Sequence, residues 1–473
     1  MRPERRDTGR ASAHLQGRGT IMERRRIWGW WFFDWASQPF ATLLMTFIFP
    51  VYYAEVARQH YIAQGMTPEA AGAAAQSLWG YGLGICGVII AVLAPVLGAI
   101  ADNSGRRLVW VWIFSAFYMA GAWGLWLLMP DQPNLHLAII SFGIGLIGME
   151  FATIFTNALL PGLAPHDEIG RVSGSGFAFG YLGGVIALAV VLLCLAENPQ
   201  TGRTMLGIPP VLGLDPGLRE GTRAAGPFTA LWYLVFMIPF ALWVPETPGP
   251  RRPVRPGAAM RALAQLLASL RWRHSLAAWL VSSMFSRDAL NALYAFGGVY
   301  AGTVLGWPVF LAGVFGVVSA VSAAVISWIG GRADRRWGPK PVIVACTLVL
   351  AGVCVLLTGM SREQVLGLPL AEGSRLPDAL FFLCGALIGG AGGALQSASR
   401  TMMVRHTTPE RATEAFGLYA LSGKATAFLA PLLIAAVTDV TGSQRLGISP
   451  LIGMFLLALI LLVWVKAKGE AEQ

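Results

Sequence analysis

Long apolar runs separated by short polar segments dominate the sequence. A helix needs about 20 apolar residues to cross a bilayer, and about twelve runs reach that length. Because a helix satisfies its own backbone hydrogen bonds in lipid, the pattern predicts an all-α integral membrane fold with about twelve transmembrane helices. The predicted spans cover approximately 28–55, 77–100, 108–129, 135–160, 172–195, 227–245, 275–302, 306–330, 341–360, 378–402, 414–437 and 448–466.

Two short charged turns occupy equivalent places in the two halves of the chain. Gly98–Arg107 reads GAIADNSGRR and separates the second and third predicted spans. Gly330–Lys340 reads GGRADRRWGPK and separates the eighth and ninth. A repeat at half the chain length indicates a duplicated membrane protein. We therefore predict two pseudo-symmetric six-helix halves, residues 28–245 and 274–466.

Three polar segments lie outside the predicted halves. Residues 1–27 are basic and predict a disordered tail, and Met22 is an alternative start to Met1. Residues 246–273 form a proline-rich cytoplasmic linker. Its end, from position 260, has leucines on one helical face and arginines nearby, which suits an amphipathic helix on the inner leaflet or a plain linker. Residues 467–473 form a short C-terminal tail.

Composition and charge agree with a membrane protein. The chain is 55% hydrophobic and 13% charged, whereas soluble domains are about 25% charged. Its net charge is +10. With the N-terminus inside, 26 of the 35 Lys and Arg residues fall in inside segments and seven in outside segments. This bias predicts that both termini are cytoplasmic, and it makes a nucleic-acid partner unnecessary.

The sequence has no pattern typical of a cofactor, a metal site or an enzyme. The five cysteines lie in apolar runs without a CxxC pair, so they predict packing residues. No histidine lies well within a span, and there is no Walker loop to bind ATP. No nucleophile–base set with a recognisable local sequence occurs, so we expect neither catalysis nor a cofactor.

Several stretches resemble one branch of a known superfamily. The two charged turns resemble the signature loop of the major facilitator superfamily. The stretches FDWASQPFA from Phe33, NALLPGLAPHDEIGRVSG from Asn157, GYLGG from Gly180 and FGLYALSGKATAFLAP from Phe416 look like its vacuolar-effluxer branch. The resemblance covers nearly all of residues 28–466 and implies a bacterial plasma-membrane protein that exports amino acids. Two positions depart from the branch: Gln38-Pro39 replaces Ser-Ala, and Arg287 is added beside Asp288.

The resemblance also implies a gating role for the charged turns. An Asp in such a loop can stabilise a neighbouring helix N-terminus and so favour one conformation. The alternative is that these charges only set topology. The predicted gating residues are Gly98, Asp102, Gly105, Arg106, Arg107, Asp334, Arg335 and Arg336.

Polar residues inside the N-terminal half define its candidate site. A charge at the centre of a span costs about 2.5–3.5 kcal/mol on insertion scales. Asp34 begins a polar stripe that includes Gln38, and it either faces the bundle interior or sits at the membrane surface. Glu150 shares a face of the fourth span with Asn157. It is a candidate proton carrier or cation ligand, or a structural partner for an arginine.

The C-terminal half contributes a second set of polar candidates. Asp288 either faces the central cavity or is held in a structural ion pair. Its neighbour Arg287 points about 100° away, and Asn291 lies within one turn of both. Gln396 lies on a polar face of the tenth span. Lys424 needs an anion, which is either Asp288, Glu150 or a substrate carboxylate.

These residues predict secondary transport by alternating access, with the site between the halves. The mixed charges suit a zwitterion or small organic ion, and the buried acids motivate a hypothesis of proton coupling. The expected partners are a small-molecule substrate, membrane lipids and protons. Two other functions stay open: a receptor or assembly protein without net transport, and a lipid translocator.

Overall fold

The computed structural model describes residues 7–246, 264, 268–305, 307 and 309–469. Nearly all of them belong to helices. The α-helices are Asp7–Pro39, Phe49–Ala63, Pro68–Ser104, Arg107–Gly124, Leu135–Asn157, Ile169–Val190, Glu220–Arg223, Ala225–Phe236, Ile238–Trp243, His274–Thr303, Val309–Trp337, Pro339–Thr358, Leu376–Arg405, Ala412–Ala425, Leu429–Thr441, Gln444–Gly447 and Pro450–Leu462. The π-helical segments are Phe40–Phe47 and Val191–Leu195, and the 3₁₀ segments are Leu125–Leu127, Leu160–Gly162, Val211–Gly213 and Pro409–Arg411.

The helices confirm the predicted membrane fold. Among the described residues, eleven helical stretches are long and apolar enough to cross a membrane. A further long helix, His274–Thr303, stands where the seventh span was predicted, and it contains Arg287 and Asp288. The eleven are Met22–Ala63, Ala70–Ser104, Arg107–Leu127, Leu135–Gly162, Ile169–Leu195, Glu220–Trp243, Val314–Trp337, Pro339–Thr358, Leu376–Arg405, Pro409–Thr441 and Gln444–Leu462. They are numbered below as the first to sixth and eighth to twelfth spans.

The first span is irregular in the middle. Pro39 lies inside the helix, and the backbone continues as a π-helix over Phe40–Phe47. A proline removes one backbone donor and clashes with the preceding turn, and π-helical turns often mark functional positions. Gln38-Pro39, one of the two departures from the effluxer branch, lies directly before this change in helix type. The helix also extends upstream of the predicted start at residue 28.

The two halves pack through two symmetry-related pairs of spans. The second span lies along the eleventh, and the fifth lies along the eighth. Successive spans run in opposite directions, and each charged turn follows an even-numbered span. Both turns therefore lie at the same end of the bundle, which we call the charged-turn end. Ser173 of the fifth span donates to the carbonyl of Ser397 in the tenth at 3.0 Å. The division into tail, halves and linker remains a prediction. Half of the amphipathic helix predicted from position 260 lies outside the described residues.

A small hairpin joins the ninth and tenth spans and was not predicted. Strand Gln364–Val365 pairs with Leu368–Pro369 in antiparallel fashion. The two turn residues, Leu366 and Gly367, both have positive φ, 51° and 84°. This is the backbone of a two-residue hairpin turn, but leucine at the first position hides it from a search for Asn-Gly or Asp-Gly.

Candidate functional site

A buried ion pair joins the halves through the first and tenth spans. Arg400 Nη1 lies 3.1 Å from Asp34 Oδ2, and the two side chains are 6% and 12% exposed. The guanidinium lies 4.9 Å from the ring centroid of Trp30 and 4.1 Å from that of Phe177. Aromatic faces attract a cation more strongly where water is excluded. Asp34 thus faces the bundle interior, which resolves the alternative left open by the sequence.

A second ion pair joins the fourth and eleventh spans. Lys424 Nζ lies 2.8 Å from Glu150 Oε1, and each side chain is 23% exposed. Of the partners considered for Lys424, the structure therefore selects Glu150. Both pairs connect residues from different halves, so each contact depends on how the halves are placed relative to one another.

Arg287 crosses from the seventh span to the eleventh. Its Nη1 donates to the carbonyl of Tyr419 at 2.9 Å, and the guanidinium lies 4.2 Å from the Tyr419 ring centroid. The side chain is partly buried, and within the described part of the chain no carboxylate lies within ion-pair distance of it. Arg287 is therefore a cation held by a carbonyl and an aromatic ring.

Asp288 lies beside this cluster and is 3% exposed. Its Oδ2 accepts a hydrogen bond from the Thr426 hydroxyl. Its other carboxylate oxygen, Oδ1, is buried and has no hydrogen-bond partner among the described residues. A buried polar atom without a partner is unfavourable. Asp288 thus has an unused acceptor near the cationic side chains of Arg287 and Lys424.

The predicted amides lie in different surroundings. Gln396 Nε2 donates to the Tyr181 hydroxyl at 3.1 Å, which joins the fifth and tenth spans across the halves. Gln38 packs against the fifth span at Gly184. Asn157 ends its helix and Asn291 is exposed, and neither makes a side-chain hydrogen bond with the described residues. The structure therefore brings Gln396 into the interface between the halves, whereas the side chains of Asn157 and Asn291 form no hydrogen bond there with the described residues.

The first charged turn binds the start of the eleventh span. Asp102 Oδ2 accepts from the backbone N–H of Glu414 at 2.9 Å, and Oδ1 from that of Thr413 at 3.3 Å. Arg107 Nη2 lies 2.6 Å from Asp102 Oδ1 and also donates to the carbonyl of Pro409. A carboxylate at a helix N-terminus satisfies free N–H groups and the helix dipole. Asp102 thus joins the two halves at the charged-turn end.

Two glycines make this contact possible. Gly105 ends the helix with a φ of 66°, a left-handed conformation that glycine adopts without strain. At Gly98, a Cβ atom would lie 2.6 Å from the carbonyl oxygen of Thr413. The backbones of the second and eleventh spans therefore touch at this position. Arg106 is exposed, and its side chain forms no hydrogen bond or ion pair with the described residues.

The second charged turn lies at the start of the fifth span in the corresponding way, but neither carboxylate oxygen of its acid, Asp334, has a hydrogen-bond partner among the described residues. Asp334 is 1% exposed, and a Cβ atom on Gly170 would lie 2.4 Å from its Cγ. Arg335 Nη2 lies 2.5 Å from Glu168 Oε1, directly before the helix that begins at Ile169. Arg336 is exposed beside Trp337. Each charged turn thus contacts the first turn of a helix from the opposite half.

Removing the Asp102 carboxylate should open the charged-turn end. Asp102→Ala leaves two helix N–H groups and Arg107 without their acceptor. The loss of such a cap is worth about 1–2 kcal/mol, or about a 5–30-fold change in the population of the closed state. The measurement is the thiol-labelling rate of Ser397→Cys in a background without native cysteines, because Ser397 is 1% exposed in this conformation. Asp167→Ala, an exposed acid at the same end, is the control. Equal labelling rates in the two variants would contradict a gating role.

Several contacting residues were missed by sequence reasoning. Glu246 accepts from the backbone N–H of Arg107 and Leu108, both at 3.1 Å, and so caps the third span. Glu168, Thr426 and Tyr419 were missed because each makes its contact at the site with a residue far away in the chain. Glu246 could have been noticed as an acid immediately after a span. Its contact with residue 107 could not be predicted, because the two are 139 positions apart in the sequence.

The comparisons with solved structures identify the fold. The human organic anion transporter MFSD10 (TETRAN) aligns with a TM-score of 0.65 and 17% identity, over 93% of this chain and 99% of that one. The major facilitator superfamily proton:xylose symporter XylE aligns with a TM-score of 0.65 and 14% identity, over 95% and 96%. The chain has the major facilitator fold, which the predicted twelve-helix architecture anticipated.

The sequence comparisons identify the family. The profile of the family described as "Vacuole effluxer Atg22 like" matches residues 22–473. An uncharacterized MFS-type transporter of Bacillus subtilis (strain 168), YxiO, is 25% identical over 453 residues, which cover 94% of this chain and 95% of that protein. The chain spans about half the length of its fungal autophagy-related relatives. It belongs to the Atg22-like vacuole effluxer family, and it is an integral membrane transporter of the major facilitator type, not an enzyme.

Proposed function

We propose that the chain is a proton-coupled secondary transporter that exports amino acids or related small zwitterions by alternating access. The observation that carries the proposal is the presence of two ion pairs, Asp34–Arg400 and Glu150–Lys424, between the halves. Opening the charged-turn end separates the halves and must strain or break these pairs. An unpaired buried charge costs several kcal/mol. A proton on the acid or a charged solute beside the base would compensate for that loss.

The remaining two charges suggest how a zwitterion is held. Arg287 and Asp288 form no ion pair within the described residues. Arg287 would bind the substrate carboxylate, since a guanidinium matches carboxylate geometry. The free acceptor Oδ1 of Asp288 would bind the ammonium group. The family name, vacuole effluxer, supports an efflux role.

We also propose that both termini lie in the cytoplasm of a bacterial cell, with the chain in the plasma membrane. The strong excess of Lys and Arg in the corresponding segments supports this orientation. The Bacillus relative, which matches over nearly its full length, supports a bacterial membrane. In this orientation the charged-turn end is the cytoplasmic end.

The test is proton flux in proteoliposomes that hold the purified protein and a pH dye. We expect an added amino-acid pool to drive a flux that Asp288→Asn and Glu150→Gln abolish. The matched control is Glu372→Gln, because Glu372 is an exposed acid in the loop between the ninth and tenth spans. Each preparation is also assayed for counterflow of the radiolabelled pool, which requires substrate exchange but no net proton movement.

The two readouts separate the parts of the proposal. Counterflow without proton flux would overturn proton coupling and leave the substrate class intact. Flux that persists in both acid variants would overturn the assignment of Glu150 and Asp288. The absence of both signals would overturn the amino-acid class and favour a lipid translocator or a non-transporting receptor on this fold.

A further inference from the structure

A groove lies at the charged-turn end between the first and sixth spans. It has a volume of about 360 Å³ and is lined by Arg24, Arg25, Trp28, Phe32 and Trp243. This volume is within the range of small-molecule sites. The groove shares no residue with the ion pairs or with the charged turns described above, so the proposed transport mechanism does not use it.

Local sequence explains why these side chains meet. Arg24, Trp28 and Phe32 are spaced four residues apart and therefore share one face of the first helix. Phe32 lies 6.3 Å from Trp243 between ring centroids, and Trp28 lies 5.9 Å from Phe179 of the fifth span. Aromatic rings thus form the wall of the groove. Both arginines are exposed at its mouth.

The groove also lies at the expected depth of a membrane surface. Trp243 ends its helix three residues before Glu246, which caps the third span at Arg107. Trp243 therefore lies at the charged-turn end of the bundle. Trp28 lies at the same end and is 46% exposed. Tryptophan is enriched where the headgroups meet the hydrocarbon, which suits an aromatic wall beside acyl chains with arginines beside headgroups.

We propose that this groove binds one anionic phospholipid of the facing leaflet, with its phosphate beside Arg24 and Arg25 at the mouth and an acyl chain along the aromatic wall. Charge selects the occupant, because two cations at the mouth of an apolar groove match an anionic headgroup and a chain together. Basic pockets between spans are known to bind such headgroups. A soluble phosphate would leave the aromatic wall uncovered, and a neutral lipid would leave the two arginines without an anion.

The test is native mass spectrometry of the full chain in detergent during titration with phosphatidylglycerol. We expect one tight site, whose affinity falls about 30-fold in Arg24→Gln/Arg25→Gln, since each surface cation contributes about fivefold. Arg24→Lys/Arg25→Lys keeps the charge and should stay within a few-fold of the parent. Phosphatidylcholine and glycerol 3-phosphate, titrated separately, should not fill the site.

The control removes two other exposed arginines. Arg271 and Arg332 each lie beside a tryptophan, Trp272 and Trp328, but outside the groove. Arg271→Gln/Arg332→Gln should keep the tight site. Equal loss in the two double variants, equal affinity for phosphatidylcholine, or saturation by glycerol 3-phosphate would each overturn the proposal. Trp28→Ala tests the chain-binding wall independently of charge and should also weaken the site.

Discussion

Arg400→Met should destabilise the protein more than any other single substitution proposed for this chain. The change leaves Asp34 as a carboxylate in a site where its side chain is 12% exposed, without its cation. Breaking a buried pair by removing one partner costs about 3–5 kcal/mol. The cation–π contacts with Trp30 and Phe177 are lost as well. The measurement is thermal unfolding of the purified protein in detergent, followed by tryptophan fluorescence.

Two further variants show whether the loss comes from the unpaired charge. Asp34→Asn/Arg400→Met removes both charges and should recover most of the stability, because a neutral pair carries no desolvation penalty. Arg405→Met is the matched control, since Arg405 lies on the same helix and donates to the carbonyl of Ala467. If Arg405→Met destabilises the protein as much as Arg400→Met, the ion pair is not the cause.

The helical fold could be predicted from the sequence because a backbone in lipid must satisfy its hydrogen bonds internally. Runs of about 20 apolar residues must form helices, and the observed spans follow the predicted ones closely. The exceptions are local. The first helix extends upstream of residue 28, and its π-helical middle at Phe40–Phe47 has no signature other than Pro39. The seventh span, His274–Thr303, was recognised by its length despite its two charges.

The charged residues of the site could be predicted, but most of their partners could not. Helical spacing places Asp34 and Glu150 on polar faces, yet spacing carries no information about which distant helix a face meets. Asp34 and Arg400 are 366 positions apart, and Glu150 and Lys424 are 274 apart. Glu150 was among the partners considered for Lys424 because a buried ammonium requires an anion. Arg400 was not among the predicted site residues.

The contact made by the first charged turn was easier to anticipate than the helix it contacts. An acid in a short turn was expected to meet a helix N-terminus, and Asp102 does so at Glu414. That this helix belongs to the opposite half follows from packing of the second span along the eleventh. Only the structure shows why a glycine stands at position 98: a Cβ atom there would clash with the backbone of Thr413.

Exchanging the charges of Glu150 and Lys424 should separate stability from transport. Glu150→Lys places two cations together near Arg287, and Lys424→Glu places two carboxylates together. Each side chain is 23% exposed, so we expect each single variant to lose about 1–3 kcal/mol, between the values for exposed and buried pairs. Counterflow in proteoliposomes should fall about tenfold to hundredfold. The double variant Glu150→Lys/Lys424→Glu restores an ion pair in reversed order and should recover the unfolding temperature.

Transport by the double variant then decides what the pair does. If the pair only holds the halves together, reversal restores counterflow along with stability, because the attraction between the two side chains is unchanged. If Glu150 carries the proton from the fourth span, the acid is now on the eleventh span and transport stays low while the protein is stable. We expect the second result, since Arg287 and Asp288 lie beside the eleventh span and fix the polarity of the site. Single-variant losses that simply add in the double variant would show that the two residues are not coupled.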